Sequence, residues 1–195
     1  MREMIVVFFL IISFCAFSSK SMAEELRFES YTADFSNKAK DGSIRYSGKL
    51  YVSKNKQRWE ETDFDVTGGP SSQIRIVRFD KEIEWVVLEN SSTGKVYGEK
   101  YIDRSIPNAP EGSFVGMETI NGQLTDRYDR EQKYGGNMID WYLHGTNVLL
   151  RHEHVFPNLR FITNFYNFKF GELSSDLFEL PDGTTRKIDV GTHAV

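Results

Sequence analysis

The sequence predicts a mainly β domain of about eleven short strands, and three observations support this. Apolar and polar residues alternate with a period of two along much of the chain, which is typical of half-buried strands. Turn-forming pairs such as Asn121-Gly122 separate these segments at short intervals. No amphipathic segment suits a helix of more than about two turns. We expect a sheet with this many strands to curl into a barrel or half-barrel.

The first 23 residues have the features of a secretory signal peptide. Arg2 gives a positive start, residues 4–17 are an apolar run, and Ser21-Met22-Ala23 fits a cleavage site. A membrane anchor is the alternative, but a helical run of this length spans only about 21 Å, less than a hydrocarbon layer of about 30 Å. We therefore expect residues 1–23 to be removed and residues 24–195 to form one exported domain, periplasmic in a bacterium with two membranes.

Composition excludes several classes of protein. Hydrophobic residues at 39% and aromatic residues at 14% exclude a disordered chain. A net charge of −4 without a basic stripe argues against a nucleic-acid partner or an anionic membrane surface. The single cysteine, Cys15, lies in the predicted signal peptide, so the mature chain is expected to contain no thiol.

The first three strands are predicted in residues 28–38 and in a hairpin over residues 43–63. In the hairpin Ile44, Tyr46, Leu50 and Val52 alternate with polar residues, so one face is apolar and the other polar. The residues 54–55 can form a two-residue turn between the strands.

This turn sets the register of the hairpin. Leu50 then lies opposite Trp59 on the apolar face, and Lys49 lies opposite Glu60 on the polar face. A slip of one residue would set Leu50 against Glu60, so the first register is favoured.

Arg58 has two possible directions. In the favoured register it points outward beside Tyr51, where it can pair with Glu60. In the slipped register it points towards the concave side of the sheet, where it could meet a ligand head group or carboxylate. The sequence leaves both directions open, with the surface pair favoured.

The middle of the chain contains further strands, predicted in residues 73–79, 82–89 and 95–102. The strand at 82–89 is apolar on both faces and is therefore expected to be central. Asn121-Gly122 is the preferred pair for a type I′ turn and defines another hairpin. The pairs expected from this turn are Val115 with Tyr128 and Thr119 with Leu124 on one face, with Glu118 and Arg127 on the other.

The last strands are predicted in residues 138–144, 147–156 and 159–170. The final strand carries aromatic residues on both faces, so both faces must be covered. Ser174-Ser175-Asp176 is expected to begin a short helical turn.

Several of these segments together resemble the superfamily of outer-membrane lipoprotein-sorting proteins, the LolA-like carriers. Residues 31–35 resemble the first strand of that group, and residues 48–52 with 58–60 resemble its second and third strands. Residues 80–88 resemble its fifth strand. The segment Leu177 to Gly183, LFELPDG, is similar to the closing F-x-L-P-x-G of the group.

The resemblance implies an antiparallel half-barrel of eleven strands whose concave face, under a short helical or loop lid, holds acyl chains. It also implies a lipid or acylated ligand and allows a membrane-associated partner protein. The alternative is a scaffold or protein-interaction module on the same fold, with a core filled by its own side chains and with exposed edge strands.

The residues themselves also point to an apolar ligand. Strands that are apolar on both faces, in a chain with little helix, leave an apolar face that needs a cover. We therefore expect an acyl-chain-sized ligand on the concave face, in contact with Tyr46, Leu50, Trp59 and Trp85, and with Arg58 near its head group if the slipped register holds.

Motifs for catalysis or metal binding are weak. His152 and His154 lie on one face of a strand and His144 is nearby, so a metal site is conceivable. Exposed or hydrogen-bonded histidines explain this spacing better, and we predict no metal. The chain has no Gly-x-Ser-x-Gly elbow, no mature cysteine and no Gly-rich phosphate loop opening a helix, so we predict neither an enzyme nor a cofactor.

Overall fold

The structure is a computed structural model that describes residues 30–65, 69–90, 94–102, 110–132, 135–184 and 186–188. The predicted signal peptide lies outside these ranges. Within them the chain forms twelve strands and one short 3-10 helix over Ser175–Phe178. The strands are β1 Ser30–Ala39, β2 Ile44–Ser53, β3 Lys56–Asp65, β4 Gly69–Arg78, β5 Ile83–Asn90, β6 Gly94–Tyr101, β7 Ser113–Ile120, β8 Gln123–Glu131, β9 Asn137–Leu143, β10 Leu149–Val155, β11 Arg160–Phe170 and β12 Arg186–Ile188.

All twelve strands belong to one open sheet, in the order β12-β6-β5-β4-β3-β2-β1-β11-β10-β9-β8-β7. Every neighbouring pair is antiparallel except β12 with β6, which is parallel. The predicted mainly β, antiparallel half-barrel is confirmed, and β5 is internal to the sheet as predicted. No helix within the described ranges combines the length and the apolar character needed to cross a membrane.

The sheet curls strongly about its middle strands. Side chains of β2, β3 and β4 line the same cavity as side chains of β8, β9 and β10, although four strands separate β4 from β10 in the sheet. Such an arrangement requires the two flanks to turn towards each other across one face. We call this face the concave face and the opposite one the convex face.

The predicted register of the first hairpin is confirmed. Leu50 opposes Trp59, Lys49 opposes Glu60, and the pairing ends with Ser53 opposite Lys56. The two-residue turn between β2 and β3 is therefore the one that the alternation of apolar and polar side chains favoured.

The second predicted hairpin is confirmed near its turn and wrong further away. Thr119 opposes Leu124 as expected. Tyr128, however, opposes Phe114 and not Val115, because a bulge between Phe114 and Gly116 shifts the register. A bulge adds one residue to one strand, and the alternation of side chains beyond it is then reversed.

The core has two parts, one on each face. On the concave face Phe35, Leu50, Val52 and their neighbours form a cluster in which Phe35 is fully buried. On the convex face Ile76, Trp85 and Phe178 form a second cluster. The Ser174 hydroxyl accepts a bond from the Asp176 amide at the start of the 3-10 helix, as the predicted helical turn requires. This helix covers the convex face of β3 and β4 and does not lie over the concave face.

Candidate functional site: a cavity on the concave face

The concave face contains a cavity of about 440 Å³ between the two flanks of the sheet. This volume falls in the range of roughly 300–1,000 Å³ that small-molecule sites occupy. Its apolar lining includes Trp59, Tyr142, Leu149 and Phe165. The sheet therefore forms a recess with an aromatic wall.

Trp59 is held firmly in this wall by its neighbours. Its ring lies 5.4 Å from that of Phe35 and 5.8 Å from that of Phe165, both at steep angles. Edge-to-face contacts of this kind add to the stability from burial alone. The Trp59 indole nitrogen donates to the Gln57 side-chain oxygen at 3.3 Å, so its polar edge also has a partner.

Three of the five predicted ligand contacts lie on the concave face. Tyr46 and Trp59 line the cavity. Leu50 lies on the same face but is only 2% exposed, within the cluster that fills the space beside the cavity. Part of the expected apolar space is thus occupied by the protein's own side chains.

Trp85 does not share the face of Trp59, which corrects our expectation. Trp59 opposes Arg75 across the β3–β4 pair, whereas Trp85 opposes Ile76 across the β4–β5 pair. Successive residues of a strand point to opposite faces, so the two tryptophans are on opposite sides of the sheet. On the convex face Trp85 packs with Ile76, and its indole nitrogen donates to Glu99 at 2.9 Å.

Arg58 also lies on the convex face, beside Tyr51, as the favoured register predicts. Its Nε donates to the Glu60 carboxylate at 2.8 Å, which is the pair that the sequence favoured. Arg58 therefore does not face the cavity. Our expectation that it contacts a ligand on the concave face is wrong.

Tyr46 is half-buried and lines the cavity. Burial and the nearby negative charge of Glu61 raise its pKa above the usual value, so the phenol stays protonated. It is hydrogen-bonded to Thr163, whose hydroxyl also accepts from the Asn37 amide at 2.9 Å. The hydroxyl of Tyr142 likewise has a pKa well above its usual value, chiefly because it is buried.

The cavity also carries charged side chains that the sequence analysis did not select. Arg75 from β4 lies with its guanidinium 5.0 Å from the centre of the Trp59 ring. Arg130 from β8 forms an ion pair with Glu111 and donates to the sulfur of Met138 at 2.9 Å. The period-two pattern could place Arg75 on a face of β4, but only the β3–β4 register shows that this is the face of Trp59.

A pair of histidines forms the opposite side of the cavity. His152 Nδ1 lies 2.5 Å from a carboxylate oxygen of Asp140, which it faces across the β9–β10 pair. The ring of His154 meets that of His152 at 4.6 Å between centroids. Burial, and then the neighbouring His152, lower the pKa of His154, so its ring is neutral at neutral pH.

In the described part of the chain, His152 and His154 have no third side chain with which to bind a metal ion. His144 lies apart from the pair, 2.7 Å from Asp126. Among the described residues, no three or more His, Cys, Asp or Glu side chains are grouped so that they could hold a metal ion. Asp140 could have been selected as a site residue from the pairing of β9 with β10, because it lies directly opposite His152.

Comparison with known proteins identifies the fold only. No protein-family model matches the chain, and no curated protein matches its sequence. An uncharacterized conserved protein from Thermus thermophilus is similar in structure, with a TM-score of 0.56 at 12% identity, over 83% of this chain and 91% of that one. PNGF-II is similar over 83% of this chain and 31% of its own, with a TM-score of 0.54 at 12% identity, so this chain spans about a third of its length.

A LolA superfamily protein from Nitrosomonas europaea is a weaker match, with a TM-score of 0.38 at 10% identity, over 84% of this chain and 96% of that one. A match at this level carries no conclusion about family or chemistry. What the chain shares with the two better matches is the architecture of a curved, mainly antiparallel sheet, and an architecture does not determine a function.

Proposed function

We propose that this chain is an exported, periplasmic binding protein whose concave face holds a lipid, a lipoprotein acyl chain or another apolar ligand. The observation that carries the proposal is the cavity of about 440 Å³ with Trp59, Phe165, Tyr142 and Leu149 in its wall. The predicted signal peptide over residues 1–23 and the resemblance to lipoprotein-sorting carriers support the location and the ligand class.

The polar side chains of the cavity refine the kind of ligand. A purely hydrocarbon ligand would leave Arg75, Arg130 and the His152–Asp140 pair facing an apolar surface, which is unfavourable for polar groups. An amphipathic ligand places its chain on the aromatic wall and its polar end beside these residues. The cavity therefore favours a molecule with both parts.

Burial of an acyl chain would supply a large part of the binding free energy. Burying about 300 Å² of acyl surface at about 25 cal/mol per Å² contributes roughly 7 kcal/mol before the costs of immobilisation. Affinity in the micromolar range corresponds to about 8 kcal/mol, so contacts from the polar end are needed in addition.

The hydroxyl groups of the cavity can serve a bound ligand as hydrogen-bonding groups. Tyr46 and Tyr142 stay protonated, and the Thr163 hydroxyl is engaged by Asn37 and Tyr46. The hydroxyl groups are thus arranged as hydrogen-bonding groups for a ligand or for each other.

A protein-interaction module is the second candidate, and exposed apolar side chains at one edge of the sheet favour it. Among the described strands, β7 lies at one end of the sheet and pairs with β8 alone. In this hairpin Phe114, Val115, Met117 and Leu124 are 46–58% exposed. A membrane-associated protein could add a strand to this edge, and the filled region around Leu50 would serve such a module equally well.

The experiment that separates these functions uses Trp59 as the reporter. The chain has three tryptophans, and Trp85 and Trp141 both lie on the convex face, away from the cavity. In a Trp85→Phe, Trp141→Phe background, delipidated protein is titrated with a fluorescent fatty acid, and energy transfer from Trp59 is followed. Saturable transfer, together with lipid in a mass spectrum of extracts from natively purified protein, is the expected result.

A matched control retains Trp85 or Trp141 as the single tryptophan, and its emission should change much less. An empty extract with no saturable transfer from Trp59 would overturn the binding proposal and leave the interaction module as the better one.

A further inference from the structure

Arg75 differs from the other charged side chains of the cavity because no carboxylate partner holds it. Within the described part of the chain no carboxylate lies within ion-pair distance of its guanidinium. Its Nε is buried and has no hydrogen-bond partner. The guanidinium lies over the Trp59 ring, so the ring positions its charge at the wall of the cavity.

The acidic side chains of the cavity are engaged elsewhere. Glu111 pairs with Arg130, and Asp140 pairs with His152. Glu61 is the acidic group on the neighbouring strand, and it accepts from the Gln73 amide at 2.7 Å. Arg75 therefore keeps hydrogen-bonding capacity that none of the described residues uses.

His154 supplies a second unused group in the same cavity. Its Nε2 is buried and has no partner, while its ring is fixed between those of His152 and Phe156 at 4.6 and 6.0 Å. A neutral imidazole carries a proton on one nitrogen, and a proton on Nε2 can be donated to an oxygen atom. Arg130 adds a buried Nε that also lacks a partner.

Buried donors without partners are uncommon and costly, because they have lost their water without gaining a protein acceptor. The unpartnered Nε atoms of Arg75 and Arg130 and the Nε2 of His154 belong to three side chains lining one cavity, and two of these side chains carry positive charge. An oxyanion, which has several acceptor lone pairs, is the kind of group that such side chains bind.

We propose that the cavity is a binding site for the anionic head group, carboxylate or phosphate, of a single-chain amphiphile. Arg75 makes the principal charge-assisted contact, His154 donates a second bond, and the acyl chain lies against Trp59 and Phe165. The inference rests on the proposed function, because it assigns the ligand class of the same cavity.

The test compares three ligands that contain the same number of carbon atoms in one unbranched chain. Dodecanoate carries a carboxylate, dodecyl phosphate carries a phosphate, and dodecanol is neutral. Affinities are measured by calorimetry and by tryptophan emission on delipidated wild-type protein, on Arg75→Gln, on Arg75→Lys and on Lys49→Gln. Lys49→Gln is the matched control, since it removes one positive charge from the convex face of β2, which is separated from β4 by β3.

We expect wild-type protein to bind one or both anions at least about tenfold more tightly than dodecanol, the preference that one charge-assisted hydrogen bond supplies. Arg75→Gln should reduce that preference to about twofold or less, Arg75→Lys should restore part of it, and Lys49→Gln should leave it unchanged. The anion that binds more tightly identifies the head group as carboxylate or phosphate.

Equal affinity of wild-type protein for all three ligands would overturn the anionic site and leave the proposed binding function standing. A preference that survives in Arg75→Gln would also overturn it, because the charge would then act from elsewhere. No saturable binding of any of the three would overturn both proposals. Thermal unfolding of each variant shows whether a loss of binding follows from a loss of fold.

Discussion

Arg58 donates a hydrogen bond from Nη1 to the backbone carbonyl of Leu177 at 3.0 Å and thereby joins β3 to the C-terminal segment. On the next strand, Arg78 donates to the carbonyl of Phe178 at 3.2 Å and pairs with Glu179. These two arginines hold the short 3-10 helix against the convex face. The motif that ends in Leu180-Pro181-Asp182-Gly183 therefore covers the sheet from outside.

Arg58→Ala is expected to destabilise the fold by about 1–3 kcal/mol, the cost of leaving a partly buried polar group without its partner. The Arg58 side chain is 11% exposed, so water has little access to the Leu177 carbonyl once the arginine is removed. Urea denaturation measures the change, and hydrogen exchange should show faster exchange at the amides of residues 177 and 179, both bonded within the 3-10 turn. Lys49→Ala, an exposed change on the same face, should stay within about 0.5 kcal/mol. Ligand affinity should not change, and a parallel loss of binding would contradict the assignment of Arg58 to the convex face.

Phe178→Ala should cost about 3–5 kcal/mol, because it empties a buried aromatic site. Phe178 is 1% exposed and packs with Ile76 and Trp85. Phe114→Ala removes the same atoms from a ring that is 57% exposed and is expected to cost much less. Denaturant midpoints of the two variants make the comparison. Similar losses would mean that the C-terminal segment does not contribute to the core.

Gly48→Ala should destabilise the protein by more than about 3 kcal/mol, since no space exists for a methyl group there. A Cβ at Gly48 would overlap the carbonyl oxygen of Glu60 and come within 2.9 Å of the Phe35 ring. Gly122→Ala is the matched change at a site with nothing within 4 Å but with φ +80°. Gly122→Ala should lower the free energy of unfolding by about 1–2 kcal/mol, because alanine is strained at a positive φ. Circular dichroism melts of both variants decide whether close packing or backbone conformation is the stronger constraint.

His154 should make stability depend on pH below neutrality. Burial and His152 lower its pKa in the folded protein, with Asp140 opposing and Arg130 reinforcing this effect. The unfolded chain, with a histidine pKa of about 6.5, then binds the proton more readily than the folded chain. Below that value the free energy of unfolding falls as the pH is lowered towards the folded pKa.

The variant His154→Gln lacks this group and should lose less stability over the same interval. Urea denaturation of wild type and variant between about pH 7.5 and about pH 5 measures the difference. Parallel curves for the two proteins would show that His154 titrates alike in the folded and unfolded chains.

Much of the local structure was predictable from the sequence. The Leu50–Trp59 register follows from matching apolar with apolar and charge with opposite charge across a short turn, so residues within one hairpin suffice to determine it. The Asn121-Gly122 turn is equally local, and both residues have the positive φ values, 50° and 80°, that a type I′ turn requires. The bulge between Phe114 and Gly116 was not predictable. Far from the turn, Tyr128 can pair equally well with Phe114 or with Val115, because both are apolar.

The cavity depended on the tertiary structure. Alternation shows which residues of one strand share a face, but it does not relate the faces of strands joined by loops of unknown register. The sequence therefore determined that Trp85 faces with Ile83 and Val87, while the β3–β4–β5 pairing decided that this is the convex side. Arg75 and His154 lie far apart in the sheet order and line one cavity only because the sheet curls. That curvature is a sum of small twists over many strands, a property of the whole sheet that no single segment of the sequence specifies.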